Sequence, residues 1–142
     1  MMKDRYLFKA KTAKIVETYN NDVEDGVWVH GSLRCDVGKY TIFQFETERA
    51  DYVEYEIDPS TICQCTGLKD KNGKLIWEND IVSCLPEECC GYIGWNESEA
   101  GFYFNVLLEN GRFEEEHIYD YQDDIEIIDN VFDNPELLEM EV

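Results

Sequence analysis

The densest group of chemically capable side chains is acidic: Glu114, Glu115, Glu116, Asp120, Asp123 and Asp124. Paired carboxylates serve general acid–base catalysis when one of them is desolvated and its pKa raised. Several together suit a hard divalent cation, which takes oxygen ligands. Neither chemistry has a supporting motif here. The six acids sit in a strongly polar run with no fixed ligand spacing, so the reading is a solvated face and not a catalytic or metal site. Tyr119 and Tyr121 lie among them. An exposed aromatic beside carboxylates is a good protein contact, so Glu114, Glu115, Glu116, Tyr119, Tyr121, Asp123 and Asp124 are the candidate partner-binding residues.

The cysteines are Cys35, Cys63, Cys65, Cys84, Cys89 and Cys90. Cys63 and Cys65 are one residue apart and Cys89 and Cys90 adjacent, so neither pair has the C-x-x-C spacing of a tetrahedral zinc site. A composite site with His30 or His117 has no sequence signature. Neither has a thiol nucleophile at Cys89 or Cys90 with His117 as base. The expectation is reduced thiols acting as small apolar residues, with no catalytic, metal or cofactor site. Asn96-Glu97-Ser98 fits a glycosylation sequon, which has no role in a cytoplasmic protein.

The stretch TGLKDKNGKLIWENDIV, residues 66–82, contains a D-K-N-G that looks like a calcium loop. Placing Gly73 at loop position 6 puts Leu68 at position 1, Asp70 at 3, Asn72 at 5 and Asn79 at 12. Leucine offers no side-chain oxygen, and asparagine cannot supply the bidentate carboxylate, so the calcium reading fails. No G-x-x-x-x-G-K-[ST] is present for a phosphate loop. What remains is a hairpin turn in which Asn72 and Gly73 both adopt positive φ, followed by a second turn at Asn79-Asp80.

Charge separates the two halves of the chain. Residues 1–74 carry 11 Lys/Arg against 13 Asp/Glu, while residues 75–142 carry Arg112 alone against 19 acids. Such a C-terminal half repels nucleic-acid phosphates and anionic membranes, which argues against direct nucleic-acid binding. The basic residues Lys3, Arg5, Lys9, Lys11 and Lys14 could complement it within the chain or between copies. No apolar stretch approaches the roughly 18 residues of a membrane span, and MMKDRYLFKA lacks a signal peptide's apolar core. The chain reads as soluble and cytoplasmic.

The elements that must position these residues are mostly strands. A period of two runs through Arg5–Ala10, Val27–His30, Lys39–Glu46 and Val53–Ile57, with Pro59 as a stop. It continues from Ile81 to Pro86, through Gly91–Trp95 and Phe102–Leu108, and then His117–Tyr121 and Ile125–Val131. Asn110-Gly111 is a strong hairpin signal. Residues 12–20 and 44–50 hold a helical turn at most. Asn134-Pro135-Glu136 places a capping residue before a first-turn proline, giving one short C-terminal helix. Trp28, Trp77 and Trp95 are assigned chiefly to the core, Trp77 above all. Short strands with glycine turns predict a mainly β chain built as a small barrel or sandwich.

Residues 66–82 closely resemble the signature of the YopX-like proteins of phages and prophages, T-G-L-x-D-x-N-G-K-x-I-[aromatic]-E-G-D-I-V. The resemblance extends upstream through WVHGSL (28–33) and EIDPSTICQCTGL (56–68), and downstream to NVFDNPELL (130–138). Asn79 stands where the family has glycine, and asparagine tolerates the left-handed backbone best after glycine. YLFKAK lacks the family's frequent tryptophan. The resemblance implies an N-terminal β-rich region, residues 1–62, followed by a small SH3-like β-barrel, residues 63–142. It also implies a phage or prophage source within a bacterial host. The function expected is that of a non-enzymatic accessory protein acting through protein contacts, with self-association as one form. The alternatives are an acidic nucleic-acid mimic that blocks a host DNA-handling protein, and a metal-dependent or thiol enzyme.

Overall fold

The computed structural model describes residues 6–13, 26–84, 89–121 and 123–139. Lys3, Arg5 and Lys14, most of the polar stretch 18–26, and Pro86 lie outside them. The chain divides into two compact units, Met1–Cys65 and Thr66–Val142.

The N-terminal unit holds β1 (Phe8–Lys11), β2 (Trp28–Asp36), β3 (Lys39–Glu46), β4 (Asp51–Glu56) and the start of β5 (Cys63–Lys69). All are antiparallel, in the order β4-β3-β2-β1-β5. Ala10, Val29, Ile42 and Ile57 form its core, one from each of several strands, as the period of two requires. Pro59 ends the β4 segment in a 3-10 turn, Pro59–Thr61, whose N-cap Asp58 accepts a hydrogen bond from the Ser60 N–H at 3.0 Å. The segment 44–50, where a helical turn was conceivable, is strand to Glu46 and then an irregular turn.

The C-terminal unit begins with the rest of β5 and its hairpin partner β6 (Leu75–Trp77). Strands β7 (Asp80–Cys84), β8 (Cys89–Asn96), β9 (Gly101–Leu107), β10 (Phe113–His117) and β11 (Ile125–Asn130) follow. They make an antiparallel sheet in the order β10-β9-β8-β7-β11. Its core is Ile76, Val82, Cys84, Ile93, Phe104, Ile118 and Ile125. The chain is therefore mainly β. The five-stranded sheet is open, and no ladder among the described residues closes it into a barrel.

Three local expectations need correction. The strand read at His117–Tyr121 is a 3-10 turn, Ile118–Asp120, and the strand lies just before it, at Phe113–His117. β10 is an edge strand paired to β9 along one side only, so it tolerates three consecutive glutamates that hide its alternation. The C-terminal helix is a four-residue 3-10 segment, Pro135–Leu138; the Asn134 side chain donates to Asp129 instead of capping it. Trp95 is 46% exposed, while Trp28 and Trp77 are half-buried, so none is fully internal. Trp28 lies under the Lys9 and Lys11 ammonium groups, at 4.8 and 5.5 Å from its ring.

Candidate functional site

The stretch that resembles a ligand loop is occupied by its own backbone. Asp70 N–H donates to the Lys74 carbonyl at 2.8 Å and Gly73 N–H to the Asp70 carbonyl at 3.0 Å. Gly73 has φ +81°, whereas Asn72 stays at negative φ. The turn is thus a type I turn with glycine in the bulge position, not the two-residue loop expected from N-G alone. The Asp70 carboxylate is buried and accepts three backbone N–H groups: Asn72 and Lys74 at 2.9 Å, and Ile127 on β11 at 3.0 Å. Burial pushes its pKa up, but those N–H groups and the nearby Lys74 outweigh it and hold the carboxyl below its ordinary value. Asn79 has φ +70°, the left-handed conformation inferred from its place in the motif. Asp80 is buried and accepts the Trp77 N–H at 2.8 Å. Asp70 and Asp80, two of the three acids of the signature, are consumed in folding.

The acidic run divides by face. Glu114 and Glu116 alternate with Phe113, Glu115 and His117 along β10, and Glu115 lies opposite Asn105 of β9. Glu115 accepts the Asn96 side-chain N–H through both oxygens, at 3.0 and 2.7 Å. Tyr119 is 69% exposed; its ring lies 5.6 Å from that of His117, which in turn lies 5.2 Å from that of Tyr103. Tyr121 is half-buried, edge-on to Phe104 at 5.3 Å, and belongs to the core's margin. Asp123 and Asp124 are exposed in the turn before β11. The structure thus brings Glu115, Tyr119 and their neighbours onto the outer face, while Tyr121 turns inward.

Cys84 and Cys89 form a disulfide, contrary to the expectation of reduced thiols throughout. The β7–β8 register sets them directly opposite, with Cα atoms 5.3 Å apart, inside the range a disulfide spans. Cys63 and Cys65 are buried and unbridged, as small apolar residues would be. The bridge removes Cys89 as a nucleophile. Burial raises the Cys90 pKa, the reverse of thiol activation, and its Sγ–H points at the Leu137 carbonyl, 4.0 Å away. His117 is aligned through Tyr103 with Gly94, four residues along β8 from Cys90, which is about 13 Å at strand rise. Cys90 and His117 do not form a pair. Among the described residues no group of three or more His, Cys, Asp and Glu could hold a metal ion.

Two depressions are lined by described residues. One of 490 Å³ in the N-terminal unit is bordered by charges of both signs, Lys11 and Lys39 with Glu56 and Asp58. The other, of 610 Å³, lies on the outer face of β8 and β9 and is bordered by Glu78, Glu97 and Glu115 with no basic residue. Gly94 opens it: a Cβ there would stand 2.7 Å from the Asn105 side-chain nitrogen and 3.2 Å from the Tyr92 ring. Sequence reading found Glu115 but missed Gly94, Asn96, Glu97 and Asn105. The available signal was Asn105 itself, a polar residue inside the apolar strand FYFNVLL.

No helix among the described residues is long and apolar enough to cross a membrane. Residues 8–139 match the sequence family described as YopX protein. Comparison with curated proteins finds no match.

Proposed function

We propose that this chain, which belongs to the YopX protein family, is a non-enzymatic accessory protein of phage or prophage origin that acts in the host cytoplasm through protein contacts. The observation that carries this reading is the one-signed charge of residues 75–142, where 19 acids accompany Arg112 alone. Electrostatic complementarity of that size steers encounter with a basic partner and repels nucleic acid. In the same reading the C-terminal unit is an SH3-like module. Strands β7 to β10 run as a meander, a 3-10 turn follows at Ile118–Asp120, and β11 returns to pair with β7. Small sheets of this kind are frequent contact modules, an analogy at the level of fold.

The purified chain, immobilised and challenged with bacterial lysate, tests the reading. Retention of basic proteins that are released as salt rises supports it. Retention of nothing, or retention indifferent to salt, overturns it. A sharper version makes the acidic unit a mimic of nucleic acid, for which the same charge is the evidence. In that case added duplex DNA displaces the chain from its partner. If DNA and the chain bind the partner together, the mimic version fails while the contact reading stands. Light scattering on the isolated protein decides whether a second copy is itself a partner.

A further inference from the structure

Two turns of the C-terminal unit, at residues 70–74 and 108–112, carry the same reactive pair in different bonding. An asparagine followed by glycine can cyclise, because the glycine nitrogen has no neighbouring side chain to shield it from the asparagine Cγ. Asn72-Gly73 and Asn110-Gly111 are the two such pairs in the sequence. Both asparagines are exposed. In each turn the glycine N–H donates to the carbonyl of the turn's first residue at 3.0 Å, and both glycines have φ +81°. Solvent access and backbone geometry therefore do not separate the two. Their side-chain bonds do.

At Asn72 the side chain is tied away from its glycine. Its amide nitrogen donates to the Glu126 carboxylate on β11 at 3.1 Å, and its backbone N–H donates to the Asp70 carboxylate at 2.9 Å. The Lys74 N–H, two residues past Asn72, is also taken by Asp70. Leu108 stands where Asp70 does and has no side-chain acceptor. The corresponding N–H, that of Arg112, donates instead to the Asn110 Oδ1 at 2.9 Å. This Asx turn closes a ring that contains both the Asn110 Cγ and the Gly111 nitrogen, so it keeps the carbon beside its attacker. The same N–H polarises the Asn110 carbonyl and is placed to stabilise an oxyanion formed on it. Among the described residues none accepts a hydrogen bond from the Asn110 amide nitrogen, the group that must leave.

We infer that Asn110 is a site of self-modification, converting to aspartate and isoaspartate, and that Asn72 is protected from the same reaction. The Gly111 nitrogen bonds to the Asn110 Cγ, the bond from Cγ to the amide nitrogen breaks, and the displaced proton leaves on ammonia. One water then opens the five-membered imide. Attack at the side-chain carbonyl gives aspartate, and attack at the backbone carbonyl gives isoaspartate. Either product adds a carboxylate to the tip of the β9–β10 hairpin. The isoaspartyl product also lengthens the main chain by a methylene next to β10, an edge strand paired with β9 alone. This chemistry is independent of the charge-based reading above.

The test is ageing of the full chain in mildly alkaline buffer, followed by peptide mapping with mass spectrometry. Amide-to-acid conversion at Asn110 and Asn72 is thereby read in the same molecules. Asn110 should convert at least about fivefold faster than Asn72 in the folded chain, and within about twofold of it in urea. Leu108→Asp gives the Arg112 N–H the acceptor that Asp70 gives Lys74, and should slow Asn110 about threefold or more. Glu126→Ala frees the Asn72 amide nitrogen and should speed Asn72 while leaving Asn110 unchanged. Equal rates at the two asparagines in the folded chain would overturn the inference. A ratio that survives in urea would overturn it too, because the difference would then belong to flanking sequence and not to the turns. An Asn110 rate indifferent to Leu108→Asp would remove the Arg112 N–H as its cause, and an Asn72 rate indifferent to Glu126→Ala would remove the tie to β11 as its protection.

Discussion

Two hairpins of the C-terminal unit share one turn and differ in what it is attached to. Residues 70–74, DKNGK, and 108–112, ENGR preceded by Leu108, close with the same pair of backbone bonds. The first residue donates to the carbonyl of the fifth at 2.8 Å in each, and the glycine N–H returns to the first at 3.0 Å. Gly73 and Gly111 both have φ +81°. The difference is Asp70 against Leu108. The Asp70 carboxylate reaches beyond its turn to the Ile127 N–H, and the same hairpin adds Lys71 N–H to the Ile125 carbonyl at 2.9 Å and Asn72 to Glu126 at 3.1 Å. In the other turn Asn110 accepts the Arg112 N–H, a bond that stays inside the loop. An Asn-Gly pair specifies a turn, and the residue two positions earlier decides whether that turn anchors another strand.

Breaking the anchor gives the largest expected effect. Asp70→Ala leaves three backbone N–H groups without their acceptor, at a cost on the order of 3 kcal/mol in urea unfolding of the C-terminal unit. Leu108→Asp, which transplants the acid to the unanchored turn, should remain within about 1 kcal/mol of the parent. Acid sharpens the contrast. Because the folded state holds the Asp70 carboxyl below its ordinary 3.8, the unfolded chain binds the proton more readily. Its contribution is complete above the unfolded pKa and is lost as pH falls through the lower folded value. The gap between the parent and Asp70→Asn should therefore be constant above about pH 5 and shrink below about pH 4. A gap that persists at pH 2 would mean the carboxylate's charge is not what the anchor uses.

A third hairpin, β7–β8, is closed covalently by Cys84–Cys89. A bridge over so short a loop restricts the unfolded chain by about 2 kcal/mol in the loop-entropy picture. A phosphine reductant should lower the stability of the C-terminal unit by about that amount, with the N-terminal unit unchanged. An unaltered urea midpoint would show that this hairpin, like that at residues 108–112, is held by its backbone and core alone.

What the sequence disclosed and what it hid follow the same division between local and distant contacts. Lys39–Glu46 was legible to the residue, because KYTIFQFE alternates and is bounded by Gly38 on one side and a turn on the other. The left-handed Asn79 was legible because its φ is a local demand. The Cys84–Cys89 bridge was not, since only the β7–β8 register puts the two opposite each other. The depression was hidden for the same reason. Asn105, Glu115 and Tyr92 are far apart in sequence and meet only through two ladders. β10 was misplaced because an edge strand has no need of an alternating apolar face, and Glu114–Glu116 shows none.

Gly73→Ala and Gly111→Ala ask whether the two turns are equal once the anchor is set aside. At φ +81° an added Cβ is strained in either turn, and at Gly73 it would meet nothing within 4 Å. Each substitution should cost about 1 kcal/mol by denaturant unfolding. A much larger cost at Gly73 would mean that the anchor and the turn are coupled, with the Asp70 carboxylate losing its place when the bulge shifts.

The smallest effect is expected outside this unit and has the opposite sign. The β2–β3 hairpin turns through Val37 and Gly38, both at positive φ, 43° and 76°. Valine is a poor residue there, because its branched Cβ crowds the backbone in the left-handed region. It is also fully exposed, so burial returns nothing for that strain. The turn forms because five register pairs from Ser32↔Phe43 to Asp36↔Lys39, with Ile42 in the core, fix the strands on either side. Val37→Asn would restore the residue that a two-residue turn of this kind favours. It should stabilise the N-terminal unit by about 0.5–1 kcal/mol, read as a rise in its urea midpoint with an unchanged slope. A fall in the midpoint would mean that the exposed valine contributes something its position does not suggest. A rise would complete the comparison: here the strands impose the turn, whereas at residues 70–74 the turn anchors a strand.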